Sequence, residues 1–228
     1  MRTQKKSLYM GMGMMVSFTV VLVLLFAPLV NGHNALEYLD NLYNSISKGS
    51  AYYIPKIKED VRAAGSREIA LNIKVDSEVQ AAQIGQLLGK SGVMARPDGA
   101  ELAVEGDLAK ILMSALADAD TMYENAGDQI TAAYGYEERR VMYNWWRTLK
   151  ALEYSLNKQE RFSDAKLITL VQAKAVETSY NYYGIKSENI GDKYGIVFIS
   201  LVFYVFYTLW YGFGILYLFE GMGLQLGH

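Results

Sequence analysis

The sequence predicts an α+β membrane protein: two transmembrane helices bracketing a mostly helical extracytoplasmic domain with a small strand–helix–strand–strand–helix unit. Three observations carry this expectation. Residues 8–30 and 194–219 are apolar runs, each longer than the roughly 20 residues that cross about 30 Å of hydrocarbon as a helix. Most of the chain between them places apolar residues three and four apart, the period of an amphipathic helix. Only within residues 67–107 does the pattern change to alternation broken by turn residues, as strands require.

Residues 1–7 form a basic head with Arg2, Lys5 and Lys6, and residues 1–30 contain no acid. Lys and Arg beside a membrane helix mark the cytoplasmic side, so the N-terminus is expected there. A cleaved signal peptide is the alternative for residues 8–30. However, the apolar core exceeds the 7–15 residues usual for one and no Ala-x-Ala site follows, although Val30-Asn31-Gly32 is a weak small-residue site. An uncleaved anchor is therefore expected.

Residues 31–66 read as a helical stalk. Asn34 and Glu37 fit a capping box, and Leu36, Leu39, Leu42, Tyr43 and Ile46 share a helix face. Lys48-Gly49-Ser50 is expected to break this helix, and Pro55 suits the first turn of a second one. Residues 67–125 hold the small α+β unit. Ile69, Leu71, Ile73 and Val75 alternate as a half-buried strand. Ser77 with Gln80 opens a helix to about Lys90 whose apolar stripe is Val79, Ile84, Leu87 and Leu88. Residues 93–95 and 102–104 read as short strands around the turn Arg96-Pro97-Asp98-Gly99. Asp107 then caps a helix to about Asn125.

Residues 126–192 are expected to form a helical hairpin. One arm carries Val141, Trp145, Leu149, Leu152 and Leu156, and Asn157-Lys158-Gln159-Glu160-Arg161 makes the bend. Ser163 or Asp164 caps the return arm of Leu167, Leu170, Val171 and Ala175. Residues 193–219 are the second transmembrane helix, and residues 220–228 a cytoplasmic tail. The expected location is a bacterial inner membrane, with both termini cytoplasmic and the main domain periplasmic.

Composition narrows the chemistry. Residues 31–192 carry 18 basic and 23 acidic side chains, a formal charge of −5, which suits neither nucleic acid nor anionic headgroups. The chain has no cysteine, so disulfides, thiolate zinc sites, iron–sulfur clusters and Cys-x-x-Cys-His haem attachment are excluded. Its two histidines, His33 and His228, fall on opposite sides of the expected membrane and cannot share a metal. Asp118, Asp120, Glu124 and Asp128 are expected on a solvated helix face, because no Asp-x-Asp-x-Asp-Gly loop wraps a cation. Glu101, Glu105 and Asp107 read as the polar face of the hairpin. Residues 85–92 hold glycine and Lys90-Ser91 in suggestive order, but they end a helix, the wrong polarity for a phosphate cradle. No nucleophile elbow is present.

The second apolar run is the most unusual stretch, with eleven aromatics in 26 residues. Interfacial belts explain Tyr and Trp at helix ends, but not Tyr204, Tyr207 and Trp210 in its middle, where each O–H or N–H needs a partner. Phe203, Tyr204, Tyr207, Trp210, Tyr211 and Phe213 are therefore the candidate site, a surface for packing against other membrane helices; a flat ligand such as a quinone is the lesser alternative. The expected function is that of a non-catalytic subunit whose domain and aromatic helix assemble a membrane complex, with partners being other membrane subunits or further copies of itself. The alternative is an extracytoplasmic ligand-binding or sensory module that signals through a partner. No cofactor, metal or catalytic residue is expected.

Overall fold

A computed structural model of the chain describes residues 2–29 and 32–224. Helices dominate and fall in the order α1 (Arg2–Phe26), α2 (Ala35–Ser50) and α3 (Ile54–Ala64). Strand β1 (Glu68–Lys74) follows, then α4 (Glu78–Lys90), β2 (Met94–Asp98), β3 (Glu101–Asp107) and α5 (Leu108–Tyr123). The chain continues through α6 (Gly127–Tyr134), α7 (Glu138–Lys158) and α8 (Phe162–Val171). A π-helical turn (Gln172–Val176) leads into α9 (Glu177–Tyr182), and α10 (Ile190–Gly221) is the last element. These elements divide into two units, Met1–Ser47 with Ser187–His228, and Lys48–Lys186.

In the first unit, α1 and α10 are both long and apolar enough to cross a membrane. Helix α1 ends at Phe26, two residues short of Pro28, whose ring disfavours helical backbone at the residue before it. Val30, Asn31 and His228 lie outside the described residues. The Asn34–Glu37 box forms: Asn34 Oδ1 accepts from Glu37 N at 2.8 Å, and Glu37 Oε2 from Asn34 N at 3.3 Å. Helix α2 runs through Lys48-Gly49-Ser50 rather than breaking there, and the break falls at residues 51–53. Of its apolar stripe, Leu42 and Ile46 are buried, whereas Leu36 and Tyr43 are exposed.

The second unit is built on a three-stranded sheet in the order β1-β3-β2. Both outer strands pair antiparallel with β3, so β1 and β2 run parallel and α4 makes the crossover of a split β-α-β arrangement. Ile69, Leu71 and Ile73 of β1 and Leu102 and Val104 of β3 point to one face and are buried. That face packs into a single core with Ile84, Leu87 and Leu88 of α4, Ile111 and Leu116 of α5, and Trp145, Leu149 and Leu152 of α7. At about 25 cal/mol per Å² of apolar area removed from water, such a core is the main stabilising term.

Local chemistry explains several element boundaries. Asp107 caps α5 by accepting from Ala109 N at 2.9 Å. Ser77 Oγ accepts from Gln80 N at 3.2 Å, while Gln80 Oε1 reaches back to Asp76 N at 2.9 Å. That return bond draws Gln80 into the interior, where it also donates to Asn144 Oδ1. Val79 is turned outward and exposed, so it does not belong to the buried stripe of α4. Strand β2 continues through Arg96-Pro97-Asp98, and the turn falls at Gly99-Ala100. Pro97 is tolerated because β2 is an edge strand whose outer side needs no ladder N–H. Neither Ser163 nor Asp164 caps α8; Asp164 instead binds Arg67 and Arg161.

Candidate functional site

Helices α1 and α10 lie side by side and antiparallel. Three glycines set their separation. A Cβ on Gly11 would sit 2.6 Å from Leu218 N, and one on Gly221 would sit 2.5 Å from Leu8 Cα. At Gly214 it would meet Met15 Sδ at 3.0 Å. Small residues let helix backbones approach this closely, which brings more atoms into dispersion contact. These contacts run from Leu8 against Gly221 to Phe18 against Tyr207. Beyond them, the first turns of α10 meet α2, where the Tyr43 and Ser200 hydroxyls lie 2.7 Å apart.

The candidate aromatics divide between two sides of α10. Tyr207 stacks on Phe18 of α1 with ring centroids 4.3 Å apart, and Tyr211 leans on the same ring at 5.1 Å. Phe203 continues the stack on Tyr207 at 5.4 Å. These offset contacts are worth about 0.5–1.5 kcal/mol per pair beyond area burial. The Tyr207 hydroxyl oxygen is buried and has no hydrogen-bond partner among the described residues. Trp210 is half-buried, whereas Tyr204 and Phe213 are turned away and exposed. The structure thus gathers Tyr207 and Tyr211 on Phe18, adds Phe203 behind Tyr207, and leaves Tyr204 and Phe213 outside that stack.

The outward side carries a second pattern. Ile199, Val202, Phe206, Leu209 and Phe213 follow one another at spacings of three, four, three and four, and all are exposed, Phe206 at 67%. That is the a/d spacing by which one helix seats its knobs in another. It is a continuous apolar seam on a helix already packed against a neighbour on its other side.

The second unit holds polar clusters that spacing along the sequence did not signal. Asp118 Oδ2 accepts from Tyr134 Oη at 2.6 Å and from Trp145 Nε1 at 2.7 Å. Burial raises its carboxyl above the ordinary range, and the two donors act in opposition. Asp120 accepts from Tyr52 Oη and Lys58 Nζ, each at 2.6 Å, and the bond to Asp120 pushes the Tyr52 phenol up to about 12. Both carboxylates were expected on a solvated face, and both are instead tied to partners from other elements. Lys48, 2% exposed, donates to Asn125 Oδ1, Tyr182 O and Ile185 O at 3.1, 3.2 and 2.7 Å.

At the π-helical turn, Glu177 Oε1 accepts from Trp146 Nε1 at 2.7 Å and from Gln172 Nε2 at 3.3 Å. These residues border a cleft of about 330 Å³ lined by Met142, Tyr143, Trp146, Glu177 and Tyr180. Its three rings already have Arg139, Arg140 and Lys150 over their faces. Among the described residues, no group of three or more His, Asp or Glu side chains is placed to hold a metal ion.

No family model, curated protein or solved structure matches this chain.

Proposed function

We propose that the chain is a non-catalytic membrane subunit that assembles with another transmembrane helix through the outward seam of α10. Helices α1 and α10 cross the bilayer as a preformed pair, with both termini cytoplasmic and the unit Lys48–Lys186 on the extracytoplasmic side. The single observation that carries this reading is the exposed a/d-spaced seam Ile199, Val202, Phe206, Leu209 and Phe213. Lipid makes no demand for three-four spacing, whereas a second helix does. The basic head supports the orientation.

The test places a photoactivatable phenylalanine analogue at Phe206 or Phe213 in native membranes, with Tyr211 as the inward control. Discrete protein adducts are expected from the two seam positions, and an adduct within the chain from Tyr211. Adducts to lipid alone at Phe206 and Phe213 overturn the assembly reading.

A further inference from the structure

The unit Lys48–Lys186 is close to charge balance, with 18 basic and 19 acidic side chains, yet its charges are not evenly mixed. On α7, Arg147, Lys150, Tyr154 and Lys158 are spaced by three, four and four residues, which places them along one face of the helix. Across from them, Asn72 and Lys74 occupy alternate outward positions of β1. The two elements enclose a groove of about 530 Å³ whose other lining residues include Ala151, Ser155 and Gln159. Four cations line this groove and no acidic side chain does.

Two of the lysines are held in place by aromatic rings. Lys150 Nζ lies over the Trp146 ring at 4.6 Å, and Lys158 Nζ over the Tyr154 ring at 4.4 Å. Among the described residues neither lysine forms an ion pair, and nor does Lys74, although Glu101 faces Lys74 in the strand register. Arg147 bonds Asp76 through Nη2, while its Nε is buried and has no hydrogen-bond partner among the described residues. Like charges gathered around one cavity repel one another, and a bound anion relieves that repulsion. Ammonium groups beside a guanidinium suit phosphate oxygens, the guanidinium through directed N–H bonds and the lysines as point charges. The volume falls in the range of small-ligand sites, roughly 300–1,000 Å³, and Asn72, Ser155 and Gln159 add neutral hydrogen-bonding groups.

We propose that this groove binds a small polyanion of the diphosphate class, either free in solution or carried on a lipid headgroup. The site is built from residues of the unit Lys48–Lys186 alone and does not rest on the assembly reading.

The test uses the full chain in phosphatidylcholine nanodiscs, titrated calorimetrically with inorganic pyrophosphate. Saturable binding is expected, weakening as salt rises and falling at least about tenfold in Lys74→Ala/Lys150→Ala/Lys158→Ala, since each lost charge-assisted contact is substantial. A control variant, Lys56→Ala/Lys110→Ala/Lys166→Ala, removes the same charge from exposed positions elsewhere and should leave the affinity unchanged. No saturation up to millimolar pyrophosphate, or equal losses in the two variants, overturns the proposal. A second titration in nanodiscs containing phosphatidic acid separates the sources. Competition with pyrophosphate there supports a headgroup ligand, and unchanged affinity supports a soluble one.

Discussion

Asp164 joins segments that are far apart in the chain, because Arg67 reaches it from the start of β1 and Arg161 from the α7–α8 bend. Burial works against its ionisation, but the two guanidinium groups outweigh burial and hold the carboxyl below its ordinary value. A carboxyl depressed in the folded state contributes stability above its unfolded pKa, about 4. That contribution is lost as pH falls through the lower folded value. Asp164→Asn is therefore expected to lower the unfolding free energy by about 2 kcal/mol at neutral pH. Urea titrations at pH 7 and pH 3 check this, since the gap to wild type should narrow at the lower pH. A gap of constant size would assign the loss to packing instead. Such residues were the least legible part of the sequence. Asp118 and Trp145 are 27 positions apart, and Lys48 and Ile185 are 137 apart, so no local spacing could pair them. A carboxylate row on a helix looks solvated until the fold supplies a tyrosine, an indole or a lysine.

Helix α10 shows what periodicity reveals and what it conceals. The run of apolar and aromatic residues marked the helix, and its length matched what was needed. The division of the aromatics into an inner stack and an outer seam needed the position of Phe18 on α1. The role of glycine follows the same logic. Gly11, Gly214 and Gly221 become informative only once Leu218, Met15 and Leu8 are found against them. Gly11→Leu or Gly221→Leu should therefore force α1 and α10 apart. Because the chain has no cysteine, a single introduced pair, Phe18→Cys with Tyr211→Cys, reports on their separation. Crosslinking by a short bifunctional reagent is expected to fall about fivefold or more in the glycine variants. An unchanged yield would show that the pair does not depend on close backbone approach. Elsewhere, the capping boxes at Asn34 and Ser77 were readable because their chemistry is local. The π-helical turn was not, because Gln172–Val176 carries no residue that ordinary helix lacks; the one-residue insertion shows itself only in the Glu177 N–H bonding to Gln172 O. The end of β2 was misplaced because Pro97 signals a turn wherever the sheet's edge is unknown.

At the scale of the whole molecule, the chain leaves one unit, builds the other from a single continuous segment, and returns. The proposed orientation puts that segment outside the cytoplasm, and Val79 reports on it. This residue is exposed on α4 and does not line the basic groove. In intact cells, Val79→Cys should react with a membrane-impermeant maleimide without permeabilisation; reaction only after permeabilisation would invert the orientation. The segment's two ends have a further property. Lys48 stands at its entry, and Tyr182 O and Ile185 O stand at its exit, all held by one ammonium. Two hydrogen bonds from one side chain thus tie the entry of the segment to its exit. Lys48 is the clasp of the segment: one ammonium buttons its first residue to the carbonyls near its last.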